Sequence, residues 1–185
     1  EIDFILETAG RYLDHPPTRA DVRSVFAGIR PLVKAGGGSN TAALSRDHTI
    51  DISQTGLVTI AGGKWTTYRR MAEDAVDHAA TIGQLDERPC ITKQLNIHGY
   101  HQHPDPGHMK VYGSDAADIR KLMQDDPTLA EQLDDDLPYT RAEIIWAARN
   151  EMARTVDDVL SRRTRALLLN AQAALRAAPQ VAQLL

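Results

Sequence analysis

The sequence predicts an α+β chain in which a region of a few β-strands and helices is followed by an all-α bundle. Three observations lead there. Short apolar segments at 49–53 and 57–61 flank a Gln54-Thr55-Gly56 turn. Apolar residues after Thr66 recur at helical spacing, and beyond about residue 113 helical patterns take over. These shifts set the expected division: a mixed unit over 1–95, a connection over 96–113 and a helical domain over 114–185.

In chain order, Phe4, Ile5 and Ala9 share one face of a first helix over roughly 1–13, which Gly10 and then Pro16-Pro17 bring to an end. Thr18-Arg19-Ala20-Asp21 has the form of a capping box, and Val22 to Arg30 alternates as a strand would. Thr49–Ser53 and Leu57–Ala61 predict a hairpin. Met71, Ala72, Ala75, Val76 and Ala79 then line one face of a helix that Gly83 ends. The stretch 88–113, rich in Pro, Gly and His, predicts an irregular connection.

Within 114–185, Ser114 is the expected cap of one helix, and Asp126-Pro127 opens the next with proline at its first position. Thr140-Arg-Ala-Glu143 is a capping box ahead of Ile144, Ile145 and Ala148, and Thr155-Val-Asp-Asp158 starts another helix. The last helix is expected over Thr164–Ala178, with Leu167, Leu168, Ala171, Ala174 and Leu175 facing inward and Pro179 interrupting it. Four or five helices would make the bundle.

Composition excludes several functions. A formal charge of −4, with arginines scattered rather than grouped with aromatics, gives no nucleic-acid footprint. The lone Cys90 cannot form an internal disulfide and reads as a small packed residue in a reducing compartment, which makes the cytoplasm the expected location. No run approaches the ~20 apolar residues of a membrane-spanning helix. Gly-Lys at 63–64 is no triphosphate-binding loop, because Val58 and Trp65 stand where that motif needs Gly and Ser or Thr.

The chemically informative stretch is Gly62-Gly63-Lys64-Trp65-Thr66-Thr67-Tyr68-Arg69-Arg70-Met71-Ala72, where an apolar strand runs through two glycines into a helix. Glycines permit close approach of backbone to a ligand, and the unpaired N–H groups of a helix start favour an anion or an electron-rich atom. Lys64 adds a fixed cation. Upstream, Arg30 is followed by Pro31, whose fixed φ turns the chain and presents the guanidinium outward. An arginine fork suits phosphate or carboxylate, although a surface ion pair is the ordinary role of such a residue.

Gly28-Ile-Arg-Pro-Leu32, Leu44-Ser-Arg-Asp-His-Thr-Ile50 and Gly62-Gly-Lys-Trp-Thr-Thr-Tyr-Arg69, in that order, resemble the C-terminal part of FAD-dependent glycerol-3-phosphate dehydrogenase. The resemblance continues through Glu151-Met-Ala-Arg-Thr155-Val-Asp-Asp158 to Arg162-Arg163-Thr164 and so covers nearly the whole chain. It implies that Arg30 binds the substrate phosphate, and that Gly62, Gly63, Lys64, Thr66 and Thr67 face FAD. It also makes Lys64 the catalytic candidate, in reach of a substrate oxygen. Reduction of a flavin by hydride places negative charge at N1 and the C2 carbonyl, which a cation and a helix start stabilise.

The same resemblance implies glycerol 3-phosphate as substrate, a quinone as electron acceptor and peripheral attachment to the inner face of the cytoplasmic membrane. The G-x-G-x-x-G unit that holds the FAD pyrophosphate does not occur, and Gly36-Gly37-Gly38 reads as a loop. A fragment lacking its N-terminal FAD domain, inactive by itself, is the expectation. An unpaired strand edge in such a fragment recruits other chains, so a homodimer could form through it. Two alternatives stay open: an α-glycerophosphate oxidase that passes electrons to oxygen, and a helical region over 114–185 that serves for docking.

The remaining candidates have plainer readings. His98, His101, His103 and His108 cluster without a Cys, Asp or Glu set of recognisable ligand spacing, so solvated loop histidines and no metal are expected. His48 adjoins Arg46 and Asp47, with which it is expected to pair. Asp134-Asp135-Asp136 reads as a solvated helix end, and Arg162-Arg163 as a complement to a helix C-terminus.

Overall fold

A computed structural model describes residues 1–29, 47–86, 88–103 and 106–185. Arg30 and Arg46 lie outside these residues, as do Pro31, Leu32 and Gly36–Gly38. Among the described residues the fold is mostly helical with one small sheet. It divides into two units, one formed by 1–27 with 98–185 and the other by 28–97. The first 27 residues and the stretch after His98 thus associate with the helical part, unlike in a division at 95 and 113.

In the smaller unit, β1 (His48–Ile52) pairs antiparallel with β2 (Val58–Gly62), His48 opposite Gly62 and Ile52 opposite Val58. The Ser53 N–H donates to Leu57 O and the Gly56 N–H to Ser53 O, closing the turn the sequence predicts. A single 3₁₀ turn, Trp65–Thr67, leads into α2 (Tyr68–Ile82), which stops at Gly83. None of the described side chains of this unit is fully buried; Leu57, Val76, Ile91, Leu95 and Ile97 are exposed.

The larger unit begins with α1 (Ile2–Gly10), shorter than the helix expected to 13. The Thr18–Asp21 capping box forms, with the Thr18 N–H and hydroxyl both donating to Asp21 Oδ2 at 2.8 Å. Val22 to Ile29 is not a strand. Ser24 Oγ instead donates to Leu167 O, and Arg23 O accepts from the Ala171 N–H, so single bonds to a helix junction replace a ladder.

The helical part comprises α3 (Ala116–Asp125), α4 (Arg141–Asn150), α5 (Ala166–Leu169) and α6 (Ala171–Leu184), with 3₁₀ segments at Gly107–Asp115 and Pro127–Ala130 and a π-turn at Asp158–Arg163. Asp115 rather than Ser114 is the N-cap of α3. Asp126 caps the Pro127 turn through the Thr128 N–H, as its sequence indicates. The last expected helix is cut at Asn170, whose Oδ1 accepts from the Ala173 N–H and starts α6 afresh. Pro179 lies inside α6 and does not end it, and Leu175 points to solvent.

The main core gathers Leu133, Leu137, Ile144, Val159, Leu160 and Val181 around the small residues Ala173, Ala174 and Ala177. Alanines at this spacing let α6 approach its neighbours closely, and each buried Leu, Ile or Val contributes about 1.5–3 kcal/mol. A second cluster, Met109, Ala116, Ile119 and Ala142, joins the 107–115 segment to α3 and α4. Asp134 is no solvated helix end: Arg176 grips it with two bonds of 2.8 Å and reaches Asp136 at 2.8 Å, holding the Asp134 carboxyl below its ordinary range. Arg163 Nε donates to Glu151 O at the end of α4, at 2.9 Å.

Candidate functional site

The strand–turn–helix at 58–82 supplies the site. β2 ends at Gly62, and Gly62 and Gly63 both adopt left-handed φ, 80° and 79°. At Gly63 space is limiting too: a Cβ would lie 2.5 Å from Met71 Sδ and 3.3 Å from His48 Cβ. Two constraints therefore require glycine here, and both serve to bring the chain sharply from the strand into the helix start.

Lys64 follows in extended conformation, φ −127° and ψ 151°. Its N–H donates to Thr67 Oγ1 at 3.2 Å, while the Thr67 hydroxyl and N–H both bond back to Lys64 O. The turn is thus tied by its own backbone and Thr67. Lys64, Thr66 and Thr67 are all exposed, and the first N–H groups of a helical segment have no intrahelical acceptor. Gly62, Lys64, Thr66 and Thr67 are thus exposed around a half-buried Gly63, bringing a cation to a helix start with no acidic side chain among them, while the Lys64 and Thr67 N–H groups are used within the turn. Trp65 is 89% exposed, its ring 6.0 Å from that of Tyr68.

Behind this surface stands a polar buttress. His48 Nε2 lies 2.8 Å from Asp74 Oδ2, with both side chains about four-fifths buried, and Asp74 Oδ1 accepts from Arg70 at 2.9 Å. Arg46, one of the partners the sequence suggests for His48, lies outside the described residues; Asp74, one turn beyond Arg70 on α2, is a partner the sequence does not suggest. Glu73 in turn ion-pairs with Arg69 at 2.8 Å and Arg70 at 3.2 Å, and the Arg69 bond holds its carboxyl below the ordinary range. The i,i+4 spacings of Arg69–Glu73 and Arg70–Asp74 are legible in the sequence. The 26-residue separation of His48 and Asp74 is not.

Cys90 sits against Thr92 Oγ1 at 3.0 Å and Arg69 Nη1 at 3.8 Å, and its thiol is held below the ordinary range, chiefly by the Thr92 bond. Of the four clustered histidines, His98 pairs with Asp115 at 2.8 Å, and His101 Nδ1 accepts from the His103 N–H at 3.0 Å. His108 departs from the solvated reading, because it reaches the wholly buried Glu143 at 3.1 Å. Among the described residues no three His, Cys, Asp or Glu converge as metal ligands, and no helix is long and apolar enough to cross a membrane.

Residues 53–185 match the family described as the C-terminal domain of alpha-glycerophosphate oxidase. The mitochondrial glycerol-3-phosphate dehydrogenase of Mus musculus is 38% identical over 208 aligned residues, taking in all of this chain and 28% of that protein. A mitochondrial glycerol-3-phosphate dehydrogenase of Arabidopsis thaliana is 36% identical over 217 residues, again across the whole chain and 34% of its own length. The chain belongs to the glycerol-3-phosphate dehydrogenase and oxidase family, and spans about a third or less of the length of these relatives.

Proposed function

We propose that this chain forms one wall of the active site of a longer flavoenzyme that oxidises sn-glycerol 3-phosphate to dihydroxyacetone phosphate and passes the electrons to a quinone. The observation that carries this reading is the exposure of Lys64 beside helix-start donors, directly after two left-handed glycines. Such a surface suits an electron-rich ring edge, and its donor set fits the N1 and C2 carbonyl side of FAD. FAD, when bound, would supply the hydride acceptor. Gly62, Gly63, Thr66 and Thr67 would hold its electron-rich edge, and Lys64 would oppose the negative charge of the reduced ring and lie next to a substrate oxygen.

Arg30 holds the substrate phosphate in this reading, on the strength of the Gly28-Ile-Arg-Pro-Leu32 resemblance. The His48–Asp74 pair ties β1 to α2 and so steadies the turn. The chain by itself is inactive and retains little or no FAD, since the pyrophosphate-binding unit belongs to the rest of the parent protein. Attachment to the membrane is peripheral, and the cytoplasmic side is the expected one.

Dye-linked oxidation of glycerol 3-phosphate by the full-length protein tests the reading. Lys64→Met is expected to lower kcat by about 100-fold, and Arg30→Ala to act mainly through KM. Wild-type kinetics in both variants would refute the assignment. Hydrogen peroxide as the stoichiometric product under air would move the protein to the oxidase branch of the family.

A further inference from the structure

We propose that Gly107–Asp115 is a strap clasped to the helical bundle through one carboxylate, Glu143, and that it opens as a local unit while the bundle stays folded. Glu143 is the third residue of α4 and completely buried. Its Oε2 accepts from the Thr140 N–H at 2.7 Å, the Thr140 hydroxyl at 3.1 Å and His108 Nε2 at 3.1 Å, while Oε1 accepts from the Tyr112 hydroxyl at 2.9 Å. One side chain thus closes the N-terminus of α4 and holds the strap at two points, one on either side of Lys110.

The strap's other anchorage is small. Met109 is its only fully buried residue, the Tyr112 ring packs half-buried against the same cluster and the His108 ring meets Tyr139 edge-on at 5.8 Å, whereas Lys110 is exposed and Val111 is 74% exposed. Burial beside Glu143 pushes the Tyr112 hydroxyl far above its ordinary range, so it remains a donor. At its far end the Ser114 N–H donates to Gly99 O at 3.0 Å, and His98 bonds Asp115. Gly113, at φ 55°, makes that closure possible, since a Cβ there would lie 1.8 Å from Gly99 O. With so small an apolar anchorage beside a polar clasp, loss of the clasp donors frees the strap: the Thr140 donors still hold Oε2 within α4, while Oε1, left without the Tyr112 hydroxyl, gains water only when the strap lifts.

The test uses the whole chain and the double variant His108→Ala/Tyr112→Phe, which leaves the Thr140–Glu143 cap in place. Limited trypsin digestion read by mass spectrometry is expected to show cleavage after Lys110 at least tenfold faster than in wild type. Cleavage after Arg149 on α4 and the far-ultraviolet circular dichroism should be unchanged. Hydrogen exchange at the Ser114 amide should accelerate in parallel, and His108→Gln, which restores a donor, should recover most of the protection. An unchanged rate at Lys110 would overturn the proposal. So would equal acceleration at Lys110 and Arg149, because the strap would then have no opening separate from the bundle.

Discussion

The two units divide labour in opposite ways. Every fully buried apolar residue described lies between Met109 and Val181, in the helical unit, whereas the unit carrying Gly62, Gly63 and Lys64 has none. The helical unit encloses its own core. The smaller unit holds its shape by a two-stranded ladder, the His48–Asp74–Arg70 chain and glycine geometry, while Val76, Ile91, Leu95 and Ile97 stay exposed. In this chain the candidate site lies where self-made stability is smallest, and stability is concentrated where no candidate catalytic side chain sits.

The largest test of that contrast is a matched pair of truncations. Ile144→Ala empties a site of zero exposure and should cost about 2–5 kcal/mol in urea unfolding, while Ile60→Ala on β2, 36% exposed, should cost well under half as much. Equal losses would show that the smaller unit has a core after all. Next in size, Gly63→Ala should cost about 1–3 kcal/mol through left-handed strain and collision with Met71, read as a fall in the Tm of the hairpin signals by nuclear magnetic resonance. The bundle signals should keep their melting temperature.

Thr140→Ala should remove about 1 kcal/mol from the bundle by deleting one donor at the α4 cap. The smallest effects concern pH, and the two carboxylate types differ in sign. Arg176 lowers the Asp134 pKa, and the Arg154 N–H leads the bonds that lower that of Asp158. Their stabilisation is present above the unfolded carboxylate value of about 4 and is lost as pH falls through the depressed folded values. Burial raises the Glu151 pKa against the pull of Arg163, so its ionised form opposes folding at neutral pH and that penalty fades on acidification. Denaturant midpoints followed between pH 3 and 7 should therefore flatten at the acid end in Asp134→Asn, and rise at pH 7 in Glu151→Gln.

The sequence was informative wherever a local rule decided the outcome. The hairpin, α2 with its Gly83 stop, and the boxes at Thr18–Asp21 and Thr140–Glu143 all follow from short patterns, and all form. Tertiary competition explains the failures. Val22–Ile29 alternates like a strand, yet finds a helix junction rather than a strand to bond. Asn170 lies inside an apolar run that reads as one continuous helix, yet asparagine is a strong N-cap and starts a new helix there. At the site, the glycines and Lys64 were legible because turn chemistry is local; Asp74 as the partner of His48 was not. Likewise the Thr140–Glu143 spacing announces a cap, and nothing nearby in sequence announces His108 and Tyr112 as the other partners of Glu143.

The packing of Met71 against Gly63 also makes the turn vulnerable to oxidants. The thioether sulfur already occupies the room that a single extra carbon on Gly63 would need. Conversion to the sulfoxide adds a polar oxygen to that same atom, against the Gly63 backbone. The damage would be transmitted as a displaced turn rather than as a lost functional group, and a methionine sulfoxide reductase could reverse it.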